Sequence, residues 1–365
     1  MRDLWIHEDD LIVATHGRSF WILDDIAPLR EASAAIANSV HLFAPAPAYR
    51  VQRDTYTDTP LPPDEPVGAN PPDGAILDYD LPASASAVTL EILDAQGHLV
   101  RRFSNTDKPD ITEEELQKQL IPLYWVRKPR QLSTAAGMHR WIWDLHYPAP
   151  ASTRHEYPIA AIPHDTPRLP LGPTVLPGTY TVRLTVDGKS FSALLTIKMD
   201  PRVRTPMLGL EKKFQAETRI ASIMTESAQV LLQGGSIRAQ LDKLNTQANN
   251  PAKDAIAAID KKLTGLLGAP GGFFAPPSQE VTLGRVNGQA GTLYQQIWQA
   301  DAEPTSAQLA ALSATEHDSA DVLKRWSEFK STDLPALNRL LRESKVPEVQ
   351  LEADLHQEEP QVDEE

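Results

Sequence analysis

The chain contains no cysteine, which excludes disulfides, thiolate metal sites and cysteine nucleophiles. It also lacks any apolar run approaching the roughly 20 residues of a membrane-spanning helix. The first residues, MRDLWIHEDD, lack the basic segment and apolar core of a signal peptide. Basic residues are outnumbered, and the formal net charge of −14 disfavours nucleic acid and anionic membranes as partners.

Proline, by contrast, is abundant, with 31 residues. Many lie between Ala44 and Pro82 or between Pro148 and Pro177, which indicates extended or looped stretches there. A length of 365 residues is enough for two or three domains of ordinary size. We therefore interpret residues 28–73 as a proline-rich linker that precedes a separate domain.

The strongest local signal is a β-hairpin in residues 177–201. Apolar and polar residues alternate over Tyr180–Val186 and again over Phe191–Met199, and Asp187-Gly188 between them is a two-residue turn sequence. A lone hairpin cannot bury its apolar face. The preceding residues should therefore supply partner strands.

Residues 74–200 predict an immunoglobulin-like β-sandwich, because short strands and turn residues recur along them. A short helix, which Thr112 and Glu115 would begin as a capping box, interrupts the strands. The pattern is similar to the immunoglobulin-like domain of flagellar hook-capping proteins and to bacterial C-terminal sorting modules. Three segments carry this similarity: Val88–Gly97, Gly137–Asp144 and Pro177–Val182.

Residues 1–27 contain two short apolar strands, Leu11–Thr15 and Ser19–Leu23, that need a larger sheet to join. The phrase DLIVATHGRSFWILDDIAPLR resembles the closing blade of the bacterial sortilin-like β-propellers with BNR (Asp-box) repeats, often labelled glycosyl-hydrolase-like. The turn lacks the aspartate of the Asp-box pattern. The resemblance implies that residues 1–27 are the remnant of a terminal blade and that most of a propeller precedes Met1.

The same resemblance implies a function. It indicates a non-catalytic accessory or scaffold region that supports ligand or protein binding by a propeller, in cis or in trans. Two alternatives stay open: part of a glycoside-hydrolase-like enzyme whose active site lies in the propeller, and a carbohydrate-binding sandwich. The resemblance also implies an exported protein, periplasmic or extracellular, although the chain shows no export signal.

Downstream of the sandwich, apolar residues recur at helical spacing, and this pattern predicts a helical bundle over residues 208–346. Gly234-Gly235 is expected to break the first helix, and Ser331 and Thr332 are expected to cap the last one. Residues 347–365 carry eight acidic residues and no Lys or Arg, which predicts a disordered acidic tail.

Four side chains are candidates for ligand binding. Trp141 and Trp143 lie on one face of a predicted strand, where exposed rings would stack on a sugar and buried rings would belong to the core. His16 and Arg18 occupy the turn between the first two predicted strands, and blade turns can line the ligand face of a propeller. The exposure of the two indoles separates the two interpretations.

No catalytic residue, metal site or cofactor is assigned from the sequence. Glycosidase chemistry needs two carboxylates across a sugar, but Asp24, Asp25 and Asp144 fit strand-end and turn roles better. The glycines of residues 284–291 match no phosphate-loop spacing and fit a helix. Three possible metal ligands are interpreted as loop residues: His155, His164 and Asp165.

Overall fold

The computed structural model describes residues 1–31, 38–52, 64, 68, 70–119, 121–153, 155–158, 160, 162–246, 250–268 and 280–351. The chain forms two compact units. The β-unit comprises Met1–Pro148 and Glu156–Thr205, and the helical unit comprises Ala149–His155 and Pro206–Glu365. Strands fill the first unit and long helices the second, so the predicted mixture of β and α structure is confirmed.

The β-unit begins with a three-stranded antiparallel sheet, which we call the N-terminal sheet. Its strands are β1 (Asp3–His7), β2 (Asp10–Ala14) and β3 (Phe20–Leu23), in the order β1-β2-β3. The sequence predicted β2 and β3 but missed β1. The strand signal of DLWIH is weak, because charged or titratable residues lie at both of its ends and no turn residue precedes it.

Part of the predicted linker, residues 28–73, is regular structure. It contains most of helix α1 (Ala27–Glu31) and the short strands β4 (His41–Leu42) and β5 (Ala48–Arg50). The linker prediction was wrong for these strands because Leu42 and Ala48 are buried in the core of the β-unit. Residues 53–63 lie outside the described residues.

Two further sheets share one core. The remaining elements of the unit are β6 (Ala75–Leu81), β7 (Val88–Leu93), β8 (Leu99–Ser104), α2 (Glu113–Gln117), β9 (Gly137–Trp143), β10 (Gly178–Val186) and β11 (Lys189–Met199). One sheet has the order β5-β11-β10-β7-β8 and the other the order β4-β6-β9. Inward side chains of both sheets, such as Leu77, Leu90 and Trp143, form a single hydrophobic cluster.

The local sequence signals of the β-unit are confirmed. Strands β10 and β11 pair antiparallel around Asp187 and Gly188, whose φ angles of 46° and 84° are those of a type I′ turn. The Asp187 carboxylate also accepts the backbone N–H groups of Ser86 and Ala87 at 3.0 and 2.9 Å. At α2, Thr112 and the side chain of Glu115 form the predicted reciprocal capping box.

The helical unit has two buried apolar clusters. Its helices are α3 (Met207–Asn245), α4 (Asn250–Leu267), α5 (Leu283–Trp298), α6 (Ser306–Glu328) and α7 (Leu334–Glu343), with a π-helical turn at Phe329–Asp333. Within the described ranges, none of the helices is both long enough and apolar enough to cross a membrane.

Three sequence expectations for this unit were wrong in detail. Helix α3 runs through Gly234, because a side chain there would come within 2.4 Å of a Leu267 methyl group and the close packing outweighs the low helix propensity of glycine. Ser331 and Thr332 do not cap a helix, since they lie in the π-helical turn that joins α6 to α7.

The third correction concerns the tail. Residues 347–351 are placed against the helices: Val349 is buried, and its backbone N–H and C=O both bond to the Asn338 amide side chain. Glu348 pairs with Arg342 at 2.9 Å. The expectation of disorder for residues 352–365 falls outside the described residues.

Candidate functional site

The N-terminal sheet is apolar on both of its faces. Directly paired residues of neighbouring strands share a face. The register therefore places Trp5, Ile12 and Ile22 on one face. It places Leu4, Val13 and Trp21 on the other.

Large side chains on both faces are exposed. Trp5 and Phe20, on the first face, are 64% and 74% exposed, and Trp21 on the second is 64% exposed. These three rings together leave about 400 Å² of aromatic surface in water, and exposed aliphatic side chains surround them. This area is divided between the two faces, and on each face exposed aliphatic side chains add to it. Contiguous exposed apolar patches usually mark interaction surfaces. A sheet exposed on both faces has two such surfaces.

The turn between β2 and β3 carries the predicted ligand residues His16 and Arg18. Its shape comes from Thr15, whose hydroxyl donates to Ser19 O at 2.8 Å and accepts from Arg18 N at 3.1 Å. The side chains of His16 and Arg18 are exposed. The indole of Trp21 donates to Arg18 O at 3.0 Å. Among the residues that the structure describes, none forms a hydrogen bond or ion pair with the side chain of His16 or Arg18.

Trp141 and Trp143 lie elsewhere, inside the β-unit. Trp143 is fully buried and its indole N–H donates to His146 O at 3.1 Å. Trp141 is 8% exposed and packs against Phe103, with ring centroids 4.9 Å apart. The exposed ring that a carbohydrate platform on these residues would need is therefore absent, and the two tryptophans are separate from the His16–Arg18 turn.

A half-buried arginine joins the N-terminal sheet to the rest of the β-unit. Arg140, on β9, binds the carboxylate of Asp78 through two nitrogens at 2.8 and 3.0 Å. It also donates to the backbone carbonyls of Asp24 and Asp25 at 2.8 and 3.1 Å, immediately after β3. Asp25 N in turn donates to Asp10 Oδ1 at 3.0 Å. This junction, which we call the Arg140 clamp, fixes the end of the exposed sheet.

The carboxylates of the clamp are crowded. Burial and then the charge of Asp10 raise the pKa of Asp24 above its ordinary value. Burial, with a further contribution from Asp78, raises the pKa of Asp25. The bonds to Asp78 raise the pKa of Arg140. The backbone carbonyls of Asp24 and Asp25 thus bind Arg140 at the end of β3. This is a structural role, not that of two catalytic carboxylates on either side of a sugar.

We expect Asp24→Asn to reduce the pH dependence of the stability of the β-unit. A carboxyl whose pKa is raised in the folded chain destabilises it when ionised, and this penalty fades as the pH falls through the folded pKa toward the ordinary value of 3.8. The variant should therefore gain less stability than wild type between neutral pH and about pH 4.5. Thermal unfolding at both pH values measures this.

Asp78→Asn is the control variant. It removes a carboxylate oxygen from Arg140 and should lower the stability of the β-unit at neutral pH. An equal loss of stability from Asp24→Asn at neutral pH would contradict the prediction.

A second arginine, which the sequence did not single out, organises the loops of the β-unit. Arg127 lies 2.7 Å from an Asp165 carboxylate oxygen, 3.1 Å from one of Asp73 and 4.0 Å from one of Asp144. The carboxylates of Asp165 and Asp73 raise its pKa against the opposing effect of burial. Two earlier candidates, Asp144 and Asp165, thus take part in one ionic cluster. Among the described residues, no group of three His, Cys, Asp or Glu side chains could hold a metal ion.

The helical unit contains a buried charge cluster. Lys213 Nζ lies 2.6 Å from Glu217 Oε1 and 3.8 Å from Asp301 Oδ1, and the three side chains are 1%, 1% and 3% exposed. Burial, with the nearby Glu217 charge, raises the pKa of Tyr294 well above its ordinary value. The periodicity of the sequence placed Glu217 in a helix, but it did not predict that Glu217 is buried beside a lysine.

Known proteins offer few matches to this chain. No protein-family model matches it, and no curated protein does. Among solved structures, CopC from Methylosinus trichosporium OB3b aligns at 12% identity over 38% of this chain and 85% of that one, with a TM-score of 0.16. A TM-score this low supports no conclusion about fold or function.

Proposed function

We propose that the chain is a non-catalytic accessory region that docks its N-terminal sheet into a sortilin-like β-propeller, in cis or in trans. The observation that carries the proposal is the exposure of large apolar side chains on both faces of that sheet. A blade of a propeller has a neighbouring blade against each face, so both of its faces are buried. Residues 1–27 would then be part of a terminal blade, as the resemblance of DLIVATHGRSFWILDDIAPLR implies.

An undocked sheet would expose two apolar faces to water, and the free-energy cost of this exposure supports the proposal. Strands buried on both faces are apolar throughout, whereas a strand with one wet face alternates. The sequences LIVA in β2 and FWIL in β3 are of the first kind. A partner with only one apolar surface would leave either Trp5 or Trp21 in water.

The remaining structure would act as a scaffold. We propose that the two sheets with a shared core are an immunoglobulin-like sandwich over residues 74–200 and that residues 208–346 are a helical bundle. The Arg140 clamp holds Asp24 and Asp25 at the exit of β3. A propeller docked on the sheet would therefore be held in a defined orientation on the sandwich.

Affinity capture of the protein from its own cells, with intact-mass and peptide mass spectrometry, tests this proposal. We expect a β-propeller, either covalently continuous with the chain or bound to it. For a bound propeller, Trp5→Lys and Trp21→Lys should each abolish capture, because they place a charge on opposite faces of the sheet. Leu194→Lys is the control, since Leu194 is exposed on β11, away from the N-terminal sheet.

A captured partner without propeller repeats, or a propeller whose binding survives both tryptophan variants, would overturn the proposal. Expression levels and thermal unfolding of the variants verify folding. Since both tryptophans are exposed, each lysine should leave the stability of the isolated chain within about 0.5 kcal/mol of wild type.

A further inference from the structure

Helix α7 is closed by its own hydrogen bonds. Lys345 has a φ of 60°, and its N–H donates to Arg342 O at 3.1 Å. Val346 N donates to Leu341 O at 2.9 Å, which completes a common C-terminal motif of helices. The chain that follows, residues 347–351, is therefore not needed to end the helix. We call it the C-terminal segment.

Two side-chain amides hold the C-terminal segment by its backbone. Asn338, on α7, accepts from Val349 N at 2.9 Å and donates to Val349 O at 3.0 Å. Gln240, on α3, accepts from Gln350 N at 2.8 Å and donates to Gln350 O at 3.0 Å. Backbone groups of successive residues in an extended chain point to opposite sides. The segment thus lies in a groove whose two walls each pair with it as a neighbouring strand would.

Two side chains of the segment give the groove a sequence preference. Val349 is 2% exposed and belongs to the buried apolar cluster that includes Leu241 of α3 and Leu337 of α7. The Glu348 carboxylate binds Arg342 through two contacts of 2.9 Å, the bidentate geometry that suits a guanidinium group. An ion pair as exposed as this one contributes more to selectivity than to affinity.

These contacts can be made equally well by another chain. Val349 is buried, whereas its neighbours Gln350 and Leu351 are exposed. One apolar side chain and one carboxylate therefore carry the sequence preference. The two amides bond backbone atoms that every peptide shares, and such main-chain bonds are a general basis for the recognition of extended peptides.

We propose that the groove between α3 and α7 is a binding site for an extended segment of a partner protein that carries Glu followed by Val or Ile. The C-terminal segment occupies this site as an internal competitor. A linked segment competes at an effective concentration on the order of millimolar, so a partner binds tightly only once the segment has left. A second copy of this chain is a poorer occupant, because its segment makes the same contacts but loses translational freedom on binding.

A labelled peptide tests the groove directly. The probe has the sequence of residues 346–351 with blocked ends, and fluorescence anisotropy measures its binding to the full chain. Val349→Asp places a carboxylate in the apolar cluster and should release the C-terminal segment. We expect the peptide to bind this variant about tenfold more tightly than wild type, because the groove is then free.

Asn338→Leu, combined with Val349→Asp, removes both amide bonds of one wall and should weaken peptide binding about tenfold. Gln296→Leu in the same background is the control, since Gln296 is exposed on α5 and does not bond to the segment. A peptide that carries Glu348→Lys should bind severalfold more weakly, because it places a cation beside Arg342.

Val349→Ala guards against a variant that fails to fold. It loosens the C-terminal segment without burying a charge, so its affinity for the peptide should lie between those of wild type and Val349→Asp. Circular dichroism and thermal unfolding verify the fold of each variant.

Three results would overturn the proposal. The first is a peptide that binds neither wild type nor Val349→Asp, or binds both equally. The second is unchanged binding when Asn338→Leu is added. The third is self-association of wild type that Val349→Asp abolishes, seen by sedimentation velocity, which would identify a second copy as the occupant. None of these measurements depends on the docking of the N-terminal sheet, so the two proposals can fail separately.

Discussion

Replacement of Lys213 by methionine is expected to lower the free energy of unfolding of the helical unit by about 3–5 kcal/mol. The ammonium group lies 2.6 Å from Glu217 Oε1, and the side chains of both residues are 1% exposed. Methionine fills similar space but leaves the Glu217 carboxylate buried without its cation. Removing one partner of a buried ion pair costs far more than the pair contributes, because the remaining charge cannot regain water.

Lys212→Met is the matched control for this prediction. Lys212 is adjacent in sequence, but its side chain is 44% exposed and pairs with a half-exposed Glu303. Exposed ion pairs contribute about 0–1 kcal/mol, so this variant should unfold almost as wild type does. Chemical denaturation of both variants measures the difference. Equal, small effects would mean that Lys213 reaches water and that the cluster is not buried in solution.

The second large effect is expected for Trp143→Ala, which should destabilise the β-unit by about 3–5 kcal/mol. Trp143 has no exposed surface and contacts Tyr180, with ring centroids 6.0 Å apart. The substitution leaves a cavity between the two sheets and removes the indole N–H from His146 O. Trp21→Ala, at an exposed ring, should change stability by less than about 0.5 kcal/mol in the isolated chain. If the two variants unfold alike, Trp143 does not lie in the core.

Local patterns were enough to predict part of the fold. The Asp187-Gly188 hairpin and the capping box of Thr112 and Glu115 were both predicted from residues only a few positions apart. Such elements depend on backbone preferences and on side chains that reach their own neighbours, which are properties of a short segment. The same reasoning identified β2 and β3 as strands in need of a larger sheet.

Other features depend on residues that are distant in the sequence. Helix α3 continues through Gly234 because Leu267, on another helix, packs against it. Strand β5 forms within a proline-rich stretch because β11 pairs with it in parallel. The Arg140 clamp joins residues that are 62 to 116 positions apart. Neither propensity nor periodicity carries such information, since tertiary contacts override both.

The candidate site was predictable only in part. The sequence predicted the apolar strands β2 and β3 and the His16–Arg18 turn between them, but it did not predict β1. It also placed Trp141 and Trp143 on one strand but left their exposure open, which the structure resolves as burial for both. The exposure of both faces of the N-terminal sheet could not be read from the sequence, because it depends on what the rest of the chain leaves uncovered.

If the N-terminal sheet docks into a propeller, both of its faces are buried in the working assembly. Hydroxyl-radical footprinting of the assembly isolated from its own cells, beside the isolated 365-residue chain, tests it most directly. Trp5 and Trp21 report on opposite faces, and the buried Trp143 is an internal reference. We expect Trp5 and Trp21 both to react in the isolated chain and both to be protected in the assembly. Equal reactivity of either ring in the two samples would contradict the proposed docking.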